Sequence, residues 1–187
     1  VSGELIVAGV KAVILALLAM LVYIWFRFEW QFGLGAVIAL LHDVLTTIGL
    51  FALLGLEFNL STVAAILTIA GYSINDTVVV YDRVRENLRK YKKLSLEELL
   101  NNSINQTLSR TVITSLTTLL ALFALYFLGG EAINNFALAL IIGVVVGTYS
   151  SIYVSANMLM VMGVTREDLM VPAKEGTGEE EEEQPPE

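Results

Sequence analysis

The chain contains no cysteine, which excludes disulfides, thiolate nucleophiles and cysteine-built metal sites and leaves the redox compartment open. Its single histidine, His42, makes a histidine-based metal site improbable. No glycine-rich phosphate loop occurs, so nucleotide hydrolysis is not encoded, and no cofactor, enzymatic activity or nucleic-acid partner is expected. Charge is scarce too. Charged residues make up 16% and apolar residues 56% of the 187 positions, with a mean hydropathy of +0.70. A soluble domain of that composition would lack the polar surface to cover itself, so the chain reads as an integral membrane protein.

The net charge of −8 comes almost wholly from the end of the chain. Residues 163–187 hold nine acids and two bases, a net of −7, which leaves −1 for the rest. The Glu179 to Glu183 run with Pro185 and Pro186 reads as an acidic solvating tail, placed at 165–187.

About 20 apolar residues cross the hydrocarbon core. Five runs are long enough: about 5–26, 32–54, 60–81, 111–128 and 133–162, the last long for one span. All are predicted to be helices, because lipid offers no partner for unpaired backbone groups and no barrel-type alternation appears. The fold class is therefore all-α, a polytopic bundle of five transmembrane helices occupying residues 1–164. Seven of the eleven basic residues lie in the connection 83–110, whereas 55–61 and 129–131 have none. That places 83–110, Arg27 and the tail on the cytoplasmic side and the chain start outside. An exterior start, a first residue of Val and no signal peptide lead to the expectation of an upstream region.

Within 83–110, Ser95-Leu96-Glu97-Glu98 matches a capping box, and Leu96, Leu99, Leu100, Ile104 and Leu108 keep helical spacing. A short amphipathic helix at about 95–109, along the inner membrane surface, is expected. Asp82 with Arg85 and Glu86 with Lys90 are spaced for ion pairs at the end of the third span.

Asp76 stands out against this background. An ionisable group near the bilayer core costs roughly 2.5–3.5 kcal/mol on insertion scales and persists where it has a partner or a task. Gly71-Tyr72-Ser73-Ile74-Asn75-Asp76-Thr77 sets hydroxyls and an amide around it, and Arg110 opens the next span. On a helix, Thr68, Tyr72, Asn75 or Asp76, Val79 and Asp82 or Arg83 share one side. Thr107, Arg110 or Thr111, Thr114 and Thr118 make a second polar seam, and the two facing each other would line a hydrated track. The candidate ion or proton pathway is Asp76, Arg110, Asn75, Thr114 and Tyr72. The competing reading makes Asp76 polar glue between helices and Arg110 an interfacial anchor.

His42 and Asp43 form a second candidate relay, about ten residues into their span and so near mid-membrane. Adjacent helix positions point about 100° apart, so they are not read as one site. The competing reading has His42 in a packing hydrogen bond and Asp43 paired with a partner subunit. Gly143-Val144-Val145-Val146-Gly147 is a close-packing pattern, and Thr148, Tyr149, Ser150 and Ser151 read mainly as interhelical hydrogen-bonding residues.

Several blocks also carry a resemblance. They are Tyr23-Ile24-Trp25-Phe26-Arg27-Phe28-Glu29, Leu41-His42-Asp43-Val44, Glu57-Phe58-Asn59-Leu60, the long block from Gly71 to Asn87, Gln106-Thr107-Leu108-Ser109-Arg110-Thr111 and Gly147-Thr148-Tyr149-Ser150-Ser151-Ile152. Over about residues 2–164 the chain resembles the SecF side of the SecD/SecF family of protein-export subunits, relatives of the RND transporters. The resemblance implies a bundle set beside a SecD-like subunit and a SecY-type channel in the cytoplasmic (inner) membrane. It implies that the proton-motive force, or sodium in some members, drives export of unfolded polypeptide. It further implies a preceding helix and extracytoplasmic domain outside this sequence, and assigns Asp76 and Arg110 to the ion path. An RND-type small-molecule or lipid exporter and a passive membrane scaffold are the alternatives.

Overall fold

Proline, the residue that breaks helices by removing a donor and clashing with the preceding turn, occurs only at positions 172, 185 and 186. The apolar runs accordingly form long helices. The computed structural model describes residues 3–28, 30–56 and 59–162. These form α1 (Gly3–Arg27), α2 (Trp30–Leu53), α3 (Leu60–Lys90), α4 (Leu96–Leu128) and α5 (Glu131–Tyr149). A π-helical turn, Ser150–Val154, then carries α5 into α6 (Ser155–Val161) without a break. There is no strand among the described residues, and five helical stretches are long and apolar enough to cross a membrane. The acidic tail lies outside the described residues, as does Glu29.

Capping fixes the helix starts. Asn59 accepts from the Thr62 amide at 3.1 Å to open α3. At α4 the expected capping box is formed: the Glu98 amide donates to Ser95 Oγ at 3.2 Å and the Ser95 amide to Glu98 Oε2 at 3.0 Å. That exchange holds the exposed Glu98 carboxyl below its ordinary value, because the hydrogen bonds favour the ionised form. At the opposite end the connections turn on Gly55 (φ +64°) and Gly130 (φ +79°), in the left-handed region glycine enters without steric cost.

The segment expected as a separate surface helix is instead the first part of α4, continuous with the fourth span. No glycine or proline interrupts 95–128, and its apolar face finds protein rather than membrane. Leu99 and Leu100 are buried with Val84 and Leu88 of α3. Asn87 Nδ2 donates to Ser103 Oγ at 2.8 Å and Gln106 Oε1 at 3.1 Å. α3 and α4 thus run on past their apolar spans as a paired extension.

Two apolar clusters form the core. One gathers Phe28, Phe32, Tyr81, Val84, Leu99 and Leu159, at the end bearing the basic connection. The other gathers Phe51, Ala65, Ile69, Leu122, Leu140 and Val144 towards the glycine turns. On α2, α4 and the α5–α6 helix buried polar residues fall between the two, Asp43 and Thr47, Thr107, Thr111 and Ser115, and Ser150, Ser151 and Ser155, while on α3 Ser73, Asp76 and Thr77 lie just past the point where the clusters meet. The bundle carries a polar layer across its middle.

Candidate functional site

Asp76 lies in that layer with 4% of its surface exposed. Its Oδ2 is buried without a hydrogen-bond partner. No ion pair or hydrogen bond joins Asp76 to Arg110, in contrast to Arg27–Asp82 and Arg83–Glu86, which pair directly. Arg110, exposed on α4, still reaches Asp76 through its charge. A buried polar oxygen without a partner carries a desolvation penalty, so the arrangement marks an unfilled interaction.

The other expected pathway residues separate. Tyr72 is half-buried and donates to Ser115 Oγ at 3.2 Å; Ser115 in turn meets Thr148 Oγ1 at 2.7 Å, tying α3, α4 and α5 together. Thr114 is exposed, and its hydroxyl is spent on the carbonyls of Arg110 and Thr111, each at 3.0 Å. Asn75 is exposed. Asn75, Arg110 and Thr114 therefore lie on the bundle's surface, while Asp76 faces inward.

The expected seam on α3 is rotated by about one position. Its buried polar side is Ser73, Asp76 and Thr77, whereas Thr68 is exposed and bonded to the Ala64 carbonyl at 2.9 Å. Helical spacing admits either register, and packing selects one. A Cβ on Gly143 would run into Ile69, and one on Gly147 would stand 3.2 Å from Ser73 Cβ, so α3 presses this side against the glycine face of α5.

The separation expected for His42 and Asp43 does not hold. His42 Nδ1 stands 3.1 Å from Asp43 Oδ1, because the imidazole folds back along the helix to its neighbour. Asp43, with 0% exposure, also finds its second partner within the chain: the Ser73 hydroxyl donates to Oδ2. Ser73, in turn, joins the π-helical turn. Ser151 Oγ donates to the Ser73 carbonyl at 3.1 Å and Thr77 Oγ1 to Ser151 Oγ at 3.2 Å. Thr148 and Ser151 are thus interhelical, while Ser150 bonds its own helix at Gly147 and Tyr149 is exposed. Ser115 and Ser155 gave no signal in the sequence, being small hydroxyls in apolar runs. No group of three or more metal-ligating side chains gathers among the described residues.

At the basic end, Asp82 pairs with Arg27 of α1 through both oxygens, at 2.7 and 2.9 Å, rather than with Arg85. Arg85 reaches the Arg27 carbonyl at 3.3 Å, and Arg83 pairs with Glu86 at 2.8 Å. A neighbouring helix thus takes the carboxylate that spacing alone assigned within α3.

Comparison with known proteins bears on this arrangement. Residues 1–165 match a family model described as protein export membrane protein SecD/SecF, C-terminal. The chain is 55% identical over 177 residues to the protein translocase subunit SecF of Cereibacter sphaeroides, covering 95% of this chain and 55% of that one. It is 57% identical over 159 residues to the SecF of Rickettsia rickettsii, covering 85% and 52%. The chain therefore spans about half the length of the curated relatives it matches. A crystal structure of SecDF in a super-membrane-facing form superposes with a TM-score of 0.81 at 52% identity, over 87% of this chain and 22% of that one. SecDF from Thermus thermophilus, described as a translocon-associated membrane protein, gives a TM-score of 0.80 at 54% identity over 83% and 22%.

Proposed function

Since this multi-pass chain belongs to the SecD/SecF C-terminal family, we propose that it is the membrane-embedded, ion-coupling portion of a SecF-type export subunit. In this reading it converts a proton-motive (or sodium-motive) force into work on polypeptides leaving the cell. The observation that carries the proposal is Asp76: a carboxylate inside the polar layer, one oxygen buried and unpartnered, with the exposed Arg110 guanidinium in electrostatic range but not in contact.

Two arrangements satisfy such a group. Protonated, Asp76 is neutral and tolerates burial in the layer; ionised, it needs Arg110 to close on it. Helix α4 carries Arg110 and α3 carries Asp76, so loading and releasing a proton changes how these helices meet. Each charge crossing the membrane supplies roughly 2.3 kcal/mol per 100 mV, enough to bias a transition of a few kcal/mol. Tyr72 holds α3 to Ser115 of α4 one turn towards the glycine turns and can act as the pivot. Asn75, Arg110 and Thr114 lie on a bundle surface unsuited to lipid tails. A SecD-like half covering them would complete the track, beside a SecY-type channel. The basic connection 83–110 would face the cytoplasm of a cell whose inner membrane houses the assembly.

Asp76→Asn imitates the protonated state. In vesicles containing the full subunit with its partners, gradient-stimulated export should fall to the gradient-free level while co-purification of the partners is unchanged. Export by the variant that responds to the gradient like wild type would remove Asp76 from the site. A scaffold would export equally with and without a gradient.

A further inference from the structure

Asp43 is as deeply enclosed as any ionisable group in the bundle, with 0% exposure, fourteen positions into the 24-residue α2. A carboxylate at that depth needs a counter-charge or a proton. Among the elements packed on α2, α3 offers Ser73 and, one turn on, the like-charged Asp76; Tyr72 is engaged with Ser115, Tyr81 with the Ser155 carbonyl, and Asp82 with Arg27. On α5 and its continuation Gly147 faces Asp43, Glu131 is at the far end, and Tyr149 and Tyr153 are exposed. On α1, Lys11 and Tyr23 are exposed. The group that can bring positive charge to Asp43 is His42.

The pair is neutral overall in two forms, Asp–COOH with neutral imidazole or Asp–COO⁻ with imidazolium. Each holds one proton more than the ionised carboxylate with neutral imidazole, and loss of that proton leaves a buried anion without a counter-charge. His42 has a side chain 39% exposed, so one end of the pair opens at the bundle surface. The other end is closed by the Ser73 hydroxyl, and Gly147 leaves only 3.6 Å between Asp43 Oδ2 and any Cβ in its place. We propose that His42, Asp43 and Ser73 form a second intramembrane proton-binding site, loaded through His42 and read out by the π-helical turn of the fifth span. The proton enters on His42 Nδ1 or Asp43 Oδ1 and breaks no other bond. Its arrival leaves Asp43 Oδ2 an acceptor of the Ser73 hydroxyl but a weaker one, because the negative charge is neutralised, and Ser73 is the residue whose carbonyl Ser151 holds. The Ser150–Val154 turn, where helical pairing is already shifted, is the element placed to respond.

The place of this site in export rests on the reading of Asp76, so the test measures the proton directly. Infrared difference spectra between acidic and alkaline buffers, recorded on the full subunit in its native complex, resolve protonated buried carboxyls. Asp43→Asn should remove a carboxylic C=O band that Asp76→Asn retains. His42→Gln should keep the band but move its pH midpoint by about one unit or more, a tenfold change in proton binding. Ser73→Ala should shift its frequency by removing a donor. A band unaltered by Asp43→Asn overturns the proposal. If that variant does not assemble, an unchanged midpoint in His42→Gln together with an unchanged frequency in Ser73→Ala overturns it instead. Failure of the Asp76 reading would appear separately, as normal gradient-driven export by Asp76→Asn with the Asp43 band intact.

Discussion

Tyr81 is fully buried on α3, its ring tilted against Phe32 with centroids 4.9 Å apart and its hydroxyl donated to the Ser155 carbonyl at 3.0 Å. Gly35 of α2 lies directly beneath: a Cβ there would stand 2.5 Å from the Tyr81 hydroxyl and 3.3 Å from the Ser155 carbonyl. Tyr81→Phe should cost about 1 kcal/mol, the net worth of one buried hydrogen bond. Gly35→Ala should cost about 1–3 kcal/mol by overpacking. The double variant should cost less than the two together, because removing the hydroxyl removes the nearest clash, although the carbonyl remains close. Unfolding of the purified protein in detergent measures all three, and strict additivity would show that the two residues do not meet. The exposed Arg27–Asp82 pair makes the contrast. Although it is bidentate, both side chains are about two-fifths exposed, so Arg27→Ala should cost under about 1 kcal/mol. Spacing revealed none of this, since the partners lie on different helices and nothing in Arg27 names Asp82.

At the scale of elements, two glycines in helical segments are expected to behave oppositely. Gly143 sits where a Cβ would run into Ile69, so Gly143→Ala must push α5 away from α3 and lower stability. Gly71, on the exposed side of α3, has nothing within 4 Å of the same atom, and Gly71→Ala should raise stability by about 0.5–1 kcal/mol through the lower entropy cost of alanine. Thermal unfolding in detergent reads both signs, and a stabilised Gly143→Ala would contradict the close α3–α5 packing. The five spans were legible because an apolar run near twenty residues has one stable form in lipid, and the Ser95–Glu98 cap because it is a local bond. Which α3 register faces α5 was not, since Thr68, Tyr72 and Asn75 keep helical period as well as Ile69, Ser73 and Asp76 do. The merging of 95–109 into α4 depends on Leu99 and Leu100 having Val84 and Leu88 to bury against, a tertiary fact. The π-helical turn likewise has no signature in Ser150-Ser151-Ile152-Tyr153-Val154, whose hydroxyls suit an ordinary helix equally.

In the whole bundle, Asp76 was visible as a misplaced charge, but the layer holding it was not, because Asp43, Ser73, Thr111 and Ser151 come together only when four helices align their polar positions near the meeting of two apolar clusters. That layer gains a direction once the chain is oriented. With the basic connection inside, α3 descends from Leu60 to Lys90, so Asp43 and Ser73 lie one turn nearer the outside than Asp76. A proton arriving from outside would meet the His42–Asp43 pair before Asp76; with the opposite orientation the order reverses. The absence of cysteine makes the orientation directly measurable. Lys92 and Glu131 are exposed at opposite ends of the bundle, so Lys92→Cys and Glu131→Cys each supply the one thiol within these 187 residues. A membrane-impermeant maleimide added to intact spheroplasts should label Glu131→Cys at once and Lys92→Cys only after permeabilisation. Labelling of Lys92→Cys in intact spheroplasts would invert the bundle, put Asp76 on the entry side, and leave the His42–Asp43 pair as the later stop for an inward-moving proton.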